Sequence, residues 1–146
     1  MWIQRPSLEI LNHFSQKSLI HHLGIEFIEV GDQFLRAKMP VDQRTMQPYR
    51  LLHGGASCVL IETTANAAAN FCVDPEHKVC VGLEINVNHI KAVHSGVVFS
   101  IAEPLHIGRM TQVWNVRIYN EHEKLTAVGR LTVAVIDKQK HEKPAE

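Results

Sequence analysis

Neither sign of charge is in excess: Lys plus Arg number 15 and Asp plus Glu number 15, for a formal net charge of zero. A nucleic-acid binder shows a basic excess or patch, so no nucleic-acid partner is expected. No apolar run approaches the roughly 20 residues that a membrane-spanning helix needs. The opening Met1-Trp2-Ile3-Gln4-Arg5-Pro6 lacks the basic and apolar regions of a secretory signal. Cysteine is scarce. Cys58, Cys72 and Cys80 are odd in number and fit no metal-ligand spacing, so they read as reduced, mostly buried thiols. Among ten histidines no HxxxH or HExxH occurs, which argues against a metal site. Ser57 lies in Gly54-Gly55-Ala56-Ser57-Cys58, without the G-x-S-x-G elbow of a serine hydrolase. What remains is a cytoplasmic protein with no membrane partner. Its zero net charge offers no electrostatic protection against self-association, so an oligomer is expected.

The 146 residues, 45% hydrophobic and 21% charged, suffice for one domain with one core. Ser7 to Leu23 predicts helix, in one piece or two short ones, capped by Ser7 and apolar along Leu8, Leu11, Phe14, Leu19 and Leu23. Past Gly24 the period becomes two, and Ile25 to Met39 predicts a hairpin turning at Gly31-Asp32 and closed by Pro40. Asp42 to Leu52 is loop-like. Ala56 to Val73 has neither Gly nor Pro and is apolar on nearly every side, as expected of a buried helix. After Asp74-Pro75 the chain predicts strands: one around Val79–Asn88, then Gly96–Leu105, Thr111–Tyr119 and Lys124–Ile136, joined by short turns as in a meander. The expected class is α+β, with an antiparallel sheet wrapped around one long central helix and a frayed tail over residues 137–146.

Two features of the long helix bear chemistry. Glu62 is its one acid, set among Leu60, Ile61 and Ala65, where burial would disfavour the ionised form unless a partner holds it. The plainer reading is an exposed strip of helix, or an ion pair with Arg130. His53-Gly54-Gly55 precedes the helix, and its first N–H groups have no partner inside the helix. Such an end is suited to polarising a carbonyl. The plainer reading is a hinge. His53, His89 and His106 stand out from the remaining histidines because each sits at the edge of an element.

The segment Gln47-Pro48-Tyr49-Arg50-Leu51-Leu52-His53-Gly54-Gly55-Ala56-Ser57, followed by Leu60 and Glu62, resembles the signature of hotdog-fold thioesterases. Within them it is most similar to the phenylacetate-degradation type. That type includes the 4-hydroxybenzoyl-CoA thioesterases with a helix-borne Glu and the 1,4-dihydroxy-2-naphthoyl-CoA thioesterases. Val81-Gly82-Leu83-Glu84-Ile85-Asn86 with Asn88-His89, and Pro104-Leu105-His106-Ile107-Gly108-Arg109 with Gln112-Val113-Trp114, extend the resemblance over about residues 8 to 136.

The resemblance implies hydrolysis of an aryl- or medium-chain acyl-CoA, with no metal or organic cofactor. The Gly54 amide would polarise the thioester carbonyl, Gln47 would orient it, His53 would support the same region, and Glu62 would act as nucleophile or general base. It implies a homodimer or a homotetramer built as a dimer of dimers, with each site shared by two subunits. Gly82 and Leu83 would line the pantetheine channel, and His89, Lys91 and Arg109 would meet the CoA phosphates or adenine. A turn beyond the Glu the subgroup often has Ser or Thr to help hold a water; here Asn66 occupies that position, and its amide also bonds water. Ile10, Phe14, Phe71 and Met46 are the expected lining of the acyl pocket. Two alternatives accompany this reading: a hotdog hydratase or dehydratase, whose His or Asp signature is not found, and a regulator that binds acyl-CoA without turnover.

Overall fold

The computed structural model describes residues 1–138. Ser7 accepts a hydrogen bond from the Ile10 N–H and starts α1 (Leu8–Phe14); a break at Lys17, in the left-handed region, separates it from the single turn of α2 (Leu19–His22). The two-helix alternative therefore holds. Of the apolar positions expected to form one buried side, Leu11 and Leu23 are buried, whereas Leu8, Phe14 and Leu19 are exposed. Phe14 and the flanking Ile10 instead border a cavity. The Asn12 side chain clasps Phe27, donating to its carbonyl (3.0 Å) and accepting from its N–H (2.9 Å), which fixes α1 against the hairpin. That hairpin is β1 (Glu26–Val30) and β2 (Leu35–Pro40), with Phe27, Leu35, Ala37 and Met39 turned inward.

Helix α3 spans Gly54–Asn70, starting two residues before the expected Ala56 and ending three before Val73. His53 caps it through its ring, whose Nδ1 accepts from the Gly55 N–H at 2.7 Å. Two glycines are tolerated in this first turn because a side-chain acceptor compensates for their weak helix propensity. Then come β3 (Lys78–His89), β4 (Val97–Ile107), β5 (Thr111–Asn120) and β6 (Leu125–Asp137). The six strands form one antiparallel sheet in the order β1-β2-β4-β5-β6-β3.

The meander holds for β4, β5 and β6 and fails for β3. That strand crosses to the far edge beside β6, and β4 returns to pair with β2. Connection lengths alone cannot reveal this, because strand adjacency is decided by how the sheet closes around α3, which packs against all five strands from β2 to β6. Leu60, Ile61, Ala65, Ala68 and Ala69 of α3 meet Trp114, Val116, Ile118, Leu131 and Val133, all fully buried. Small residues allow the close approach. A β-carbon at Gly129 would lie 2.8 Å from both Ile61 Cδ1 and the Asn86 carbonyl oxygen. The buried Gln112 donates to the Ala69 carbonyl (3.4 Å), a terminal helix acceptor, and accepts from Trp114 Nε1 (3.0 Å).

Of the tail expected to fray from residue 137, the first two residues are tied down. Asp137 ends β6 and pairs with Lys78, and the Lys138 N–H bonds the His77 carbonyl. Residues 139–146 lie outside the described part. Among the described residues, no helix is long and apolar enough to cross a membrane.

Candidate active site

The face of α3 toward the β3 edge is not fully covered. Glu62, Asn66 and Asn70 follow one another at intervals of four along it, each half-buried, so α3 is less enclosed than its apolar composition predicts. Asn66 Nδ2 lies 3.4 Å from Glu62 Oε1. Asn70 Nδ2 donates to Asn66 Oδ1 (2.8 Å), to the Asn66 carbonyl (2.9 Å) and to the Cys80 carbonyl (3.1 Å), while its Oδ1 accepts the Cys80 N–H (2.9 Å). Burial pushes the Cys80 thiol up to about 11, so it stays protonated beside this network. Across from Glu62 stands Gly82: a β-carbon there would collide with Oε1 and lie 3.1 Å from the carboxyl carbon. Glycine at this position is what lets the carboxylate reach the strand. Neither plainer reading of Glu62 survives intact. Arg130 is exposed, and among the described residues no ion pair involves Glu62.

The other end of α3 gathers a second group. Gln47, Gly54, Ser57, His89, Lys91, Val93 and Thr126 line a cavity of about 280 Å³ at the helix N-terminus. The His89 ring lies over Gly54, whose added β-carbon would be 2.9 Å from Nε2. Gln47 Oε1 accepts the Tyr49 N–H at 2.6 Å, which leaves the Nε2 group as its free donor. His53 is committed to the cap. The Gly54 N–H has no acceptor among the described residues.

Helix geometry separates the two groups. Eight residues at 1.5 Å each put Gly54 and Glu62 about 12 Å apart along the axis, too far to meet at one carbonyl carbon. The single rigid element does carry both groups, but one chain does not bring them together. Arg109 is likewise remote from His89 and Lys91. Its turn adjoins Thr111, in register with Ala134 and through it with Val81, eight residues or about 26 Å along β3 from His89.

At Leu83 the register of β3 against β6 shifts, between Gly82 and Glu84, leaving this residue opposite no residue of β6 and 64% exposed. Val81 is also exposed, and Cys80 between Val79 and Val81 is buried. A separate apolar cavity of about 730 Å³ is lined by Ile10, Phe14, Ala67, Asn70 and Phe71 among others. Three of the four expected acyl-pocket residues are there. Met46 is not; its bridge to Leu52 ties it into the loop before α3. Sequence reasoning missed Asn70, although the four-residue spacing from Glu62 through Asn66 was a signal for it.

One antiparallel sheet wrapped around a single long helix is the architecture of the hotdog fold. The chain belongs to the Thioesterase superfamily, whose match spans residues 49–127. It is 43% identical over 136 residues to the 1,4-dihydroxy-2-naphthoyl-CoA hydrolase of Escherichia coli, covering 93% of this chain and 99% of that one. It is also 43% identical over 136 residues to the proofreading thioesterase EntH of Cronobacter turicensis, covering 93% and 98%. The crystal structure of a mutant thioesterase from Pseudomonas aeruginosa superposes with a TM-score of 0.93 at 44% identity, covering 94% of this chain and 99% of that one.

Proposed function

We propose that the protein hydrolyses aryl- or medium-chain acyl-CoA thioesters in the cytoplasm as a homodimer, or as a tetramer of two such dimers. Glu62 activates water as general base or attacks as nucleophile, and the Gly54 amide of the other subunit polarises the carbonyl with help from Gln47. The observation that carries this reading is the Glu62 carboxylate, half-buried and without an ion-pair partner among the described residues, set against the glycine of an exposed strand in a chain of the Thioesterase superfamily. One positioned donor is typically worth ~10²–10³ in rate, and general-base help about 10²–10⁴.

Distance supports the second subunit. With about 12 Å between Gly54 and Glu62 in one helix, a complete site needs a second helix end. Strand β3 supplies the means: it is twelve residues long, at the sheet edge, and exposes Val81 and Leu83. Such an edge is a template for pairing. Two copies of β3 paired antiparallel about a two-fold axis run in opposite directions. The His89 end of one then approaches the Gly82 end of the other, and Arg109 approaches the partner's Lys91 for joint contact with CoA phosphates. The acyl group enters the apolar cavity of Ile10, Phe14 and Phe71, whose rim residue Asn70 continues the line from Glu62.

The test is thiol release from a panel of benzoyl-, naphthoyl- and fatty acyl-CoA esters. Glu62→Gln is expected to abolish turnover without loss of fold, and mixed dimers of Glu62→Gln with Gln47→Ala subunits to recover part of it. Near-wild-type rates in Glu62→Gln would sink the proposal. Tight binding of every ester with no release of thiol would replace it by an acyl-CoA-binding regulator.

A further inference from the structure

We infer that Asn70 is a positioning residue for Glu62, acting through the side-chain amide of Asn66 and through strand β3. The inference rests on the catalytic reading of Glu62 given above.

An asparagine amide presents two donors and one acceptor group, and its two ends are not interchangeable once partners are fixed. Asn70 uses both. Its Oδ1 takes the Cys80 N–H, so its Nδ2 faces Asn66 and the Cys80 carbonyl. Because Asn66 Oδ1 accepts from Asn70 at 2.8 Å, the Nδ2 group of Asn66 is the end left for Glu62 Oε1. Rotating the Asn66 amide by half a turn would set its oxygen against the carboxylate and its N–H groups against those of Asn70. Both contacts would be repulsive. Asn70 therefore decides that Glu62 meets a donor, although the two residues are two helical turns apart.

The second arm of the same side chain acts on the opposite wall. Cys80 and Gly82 are two residues apart on β3, so they share the face turned to α3. Asn70 holds the Cys80 backbone by both its N–H and its carbonyl, and this sets how close Gly82 stands to Glu62. The Glu62–Asn66 contact of 3.4 Å is long, as catalytic contacts often are before substrate binds. A small turn of the Asn66 amide is enough to lose it.

Asn70 also lines the acyl cavity, so the test must separate positioning from contact with the acyl group. Asn70→Asp keeps the shape and the acceptor for Cys80 but has no N–H to give Asn66. It is expected to lower kcat by about tenfold to thirtyfold, the effect of one charge-linked hydrogen bond, with KM nearly unchanged. The loss should be the same for acetyl-CoA as for a naphthoyl or long-chain ester. In an Asn66→Ala background the part of the loss that passes through Asn66 is gone and only the part carried by β3 remains, so the same substitution should cost clearly less than it does in wild type. Equal losses in both backgrounds would overturn the inference, as would a loss confined to KM of the larger esters. Should Asn70→Asp fail to fold, Asn70→Ser removes the same donor without adding charge and must show the same coupling to Asn66. Glu62→Gln is assayed alongside. Turnover retained there removes the catalytic reading itself, whereas turnover lost there and full kcat in Asn70→Asp removes only the role of Asn70.

Discussion

Replacing Gly82 by alanine adds one methyl group at the place where β3 faces Glu62. The added carbon would lie 3.1 Å from the Glu62 carboxyl carbon and 3.3 Å from Oε2, and closer still to Oε1. All are inside an ordinary contact distance, so the carboxylate must withdraw by on the order of an ångström, a misplacement that costs about 10² in rate. That is about 2.7 kcal/mol of transition-state stabilisation. The fold should not suffer. Gly82 does not have positive φ, the atoms displaced are the end of a flexible side chain, and glycine to alanine in a compatible strand position stabilises by roughly 0.4–1 kcal/mol through the unfolded chain. The expected result is therefore a melting temperature equal to or slightly above wild type, an unchanged sedimentation coefficient, and a hundredfold lower kcat in thiol release. Combining Gly82→Ala with Glu62→Gln should cost no more than Glu62→Gln alone. A kcat within threefold of wild type would refute the reasoning. So would a normal kcat with a raised KM, which would make Gly82 a wall of the pantetheine channel and nothing more.

Gly129→Ala is the contrasting case. The added carbon would meet the Asn86 carbonyl oxygen and Ile61 Cδ1 at 2.8 Å each, one of them backbone, so relief requires β3 or α3 to shift. A loss of about 1–3 kcal/mol in urea unfolding is expected, the usual cost of overpacking. Thiol titration of the native protein provides a further check. Burial pushes both the Cys72 and Cys80 thiols up to about 11, and Cys58 is also raised but partly accessible. At pH 8 one slow-reacting thiol is expected before denaturation and three after it; three fast thiols in the native protein would contradict the placement of Cys72 and Cys80.

The helix and strand elements were legible in the sequence because each has a clear period and flanking punctuation. Gly24, with φ of 70°, closes α2 where the pattern changes from helix to strand. The helix–glycine junction was legible through the resemblance, because His53-Gly54-Gly55 alone reads equally as a hinge. Less visible was anything set by residues far apart. The place of β3 at the sheet edge depends on its pairing with β6, about fifty residues later, and no local pattern records that. The apolar stripe of α1 read as core, yet Phe14 is 79% exposed, because α1 lies over a cavity instead of the sheet centre. Asn70 was passed over because its partner is the Cys80 backbone on β3, a contact between separate elements that no local pattern records.

The bulge at Leu83 explains how one strand serves both the core and the site. Before it, Cys80 and Gly82 face α3, the first sealing against Ala69 and the second leaving room for Glu62. Had the alternation continued unbroken, the next residues on that face would be Glu84 and Asn86, bringing a second carboxylate toward the helix that carries Glu62. The extra residue reverses the parity. Glu84 turns outward, exposed and bonded to the Asn86 side chain, while Ile85 and Val87 turn in to pack on the core. The strand thus changes from a glycine-lined wall beside a carboxylate to an apolar seal within three residues. Leu83, pushed out at the point of reversal, is left on the exposed edge of the sheet.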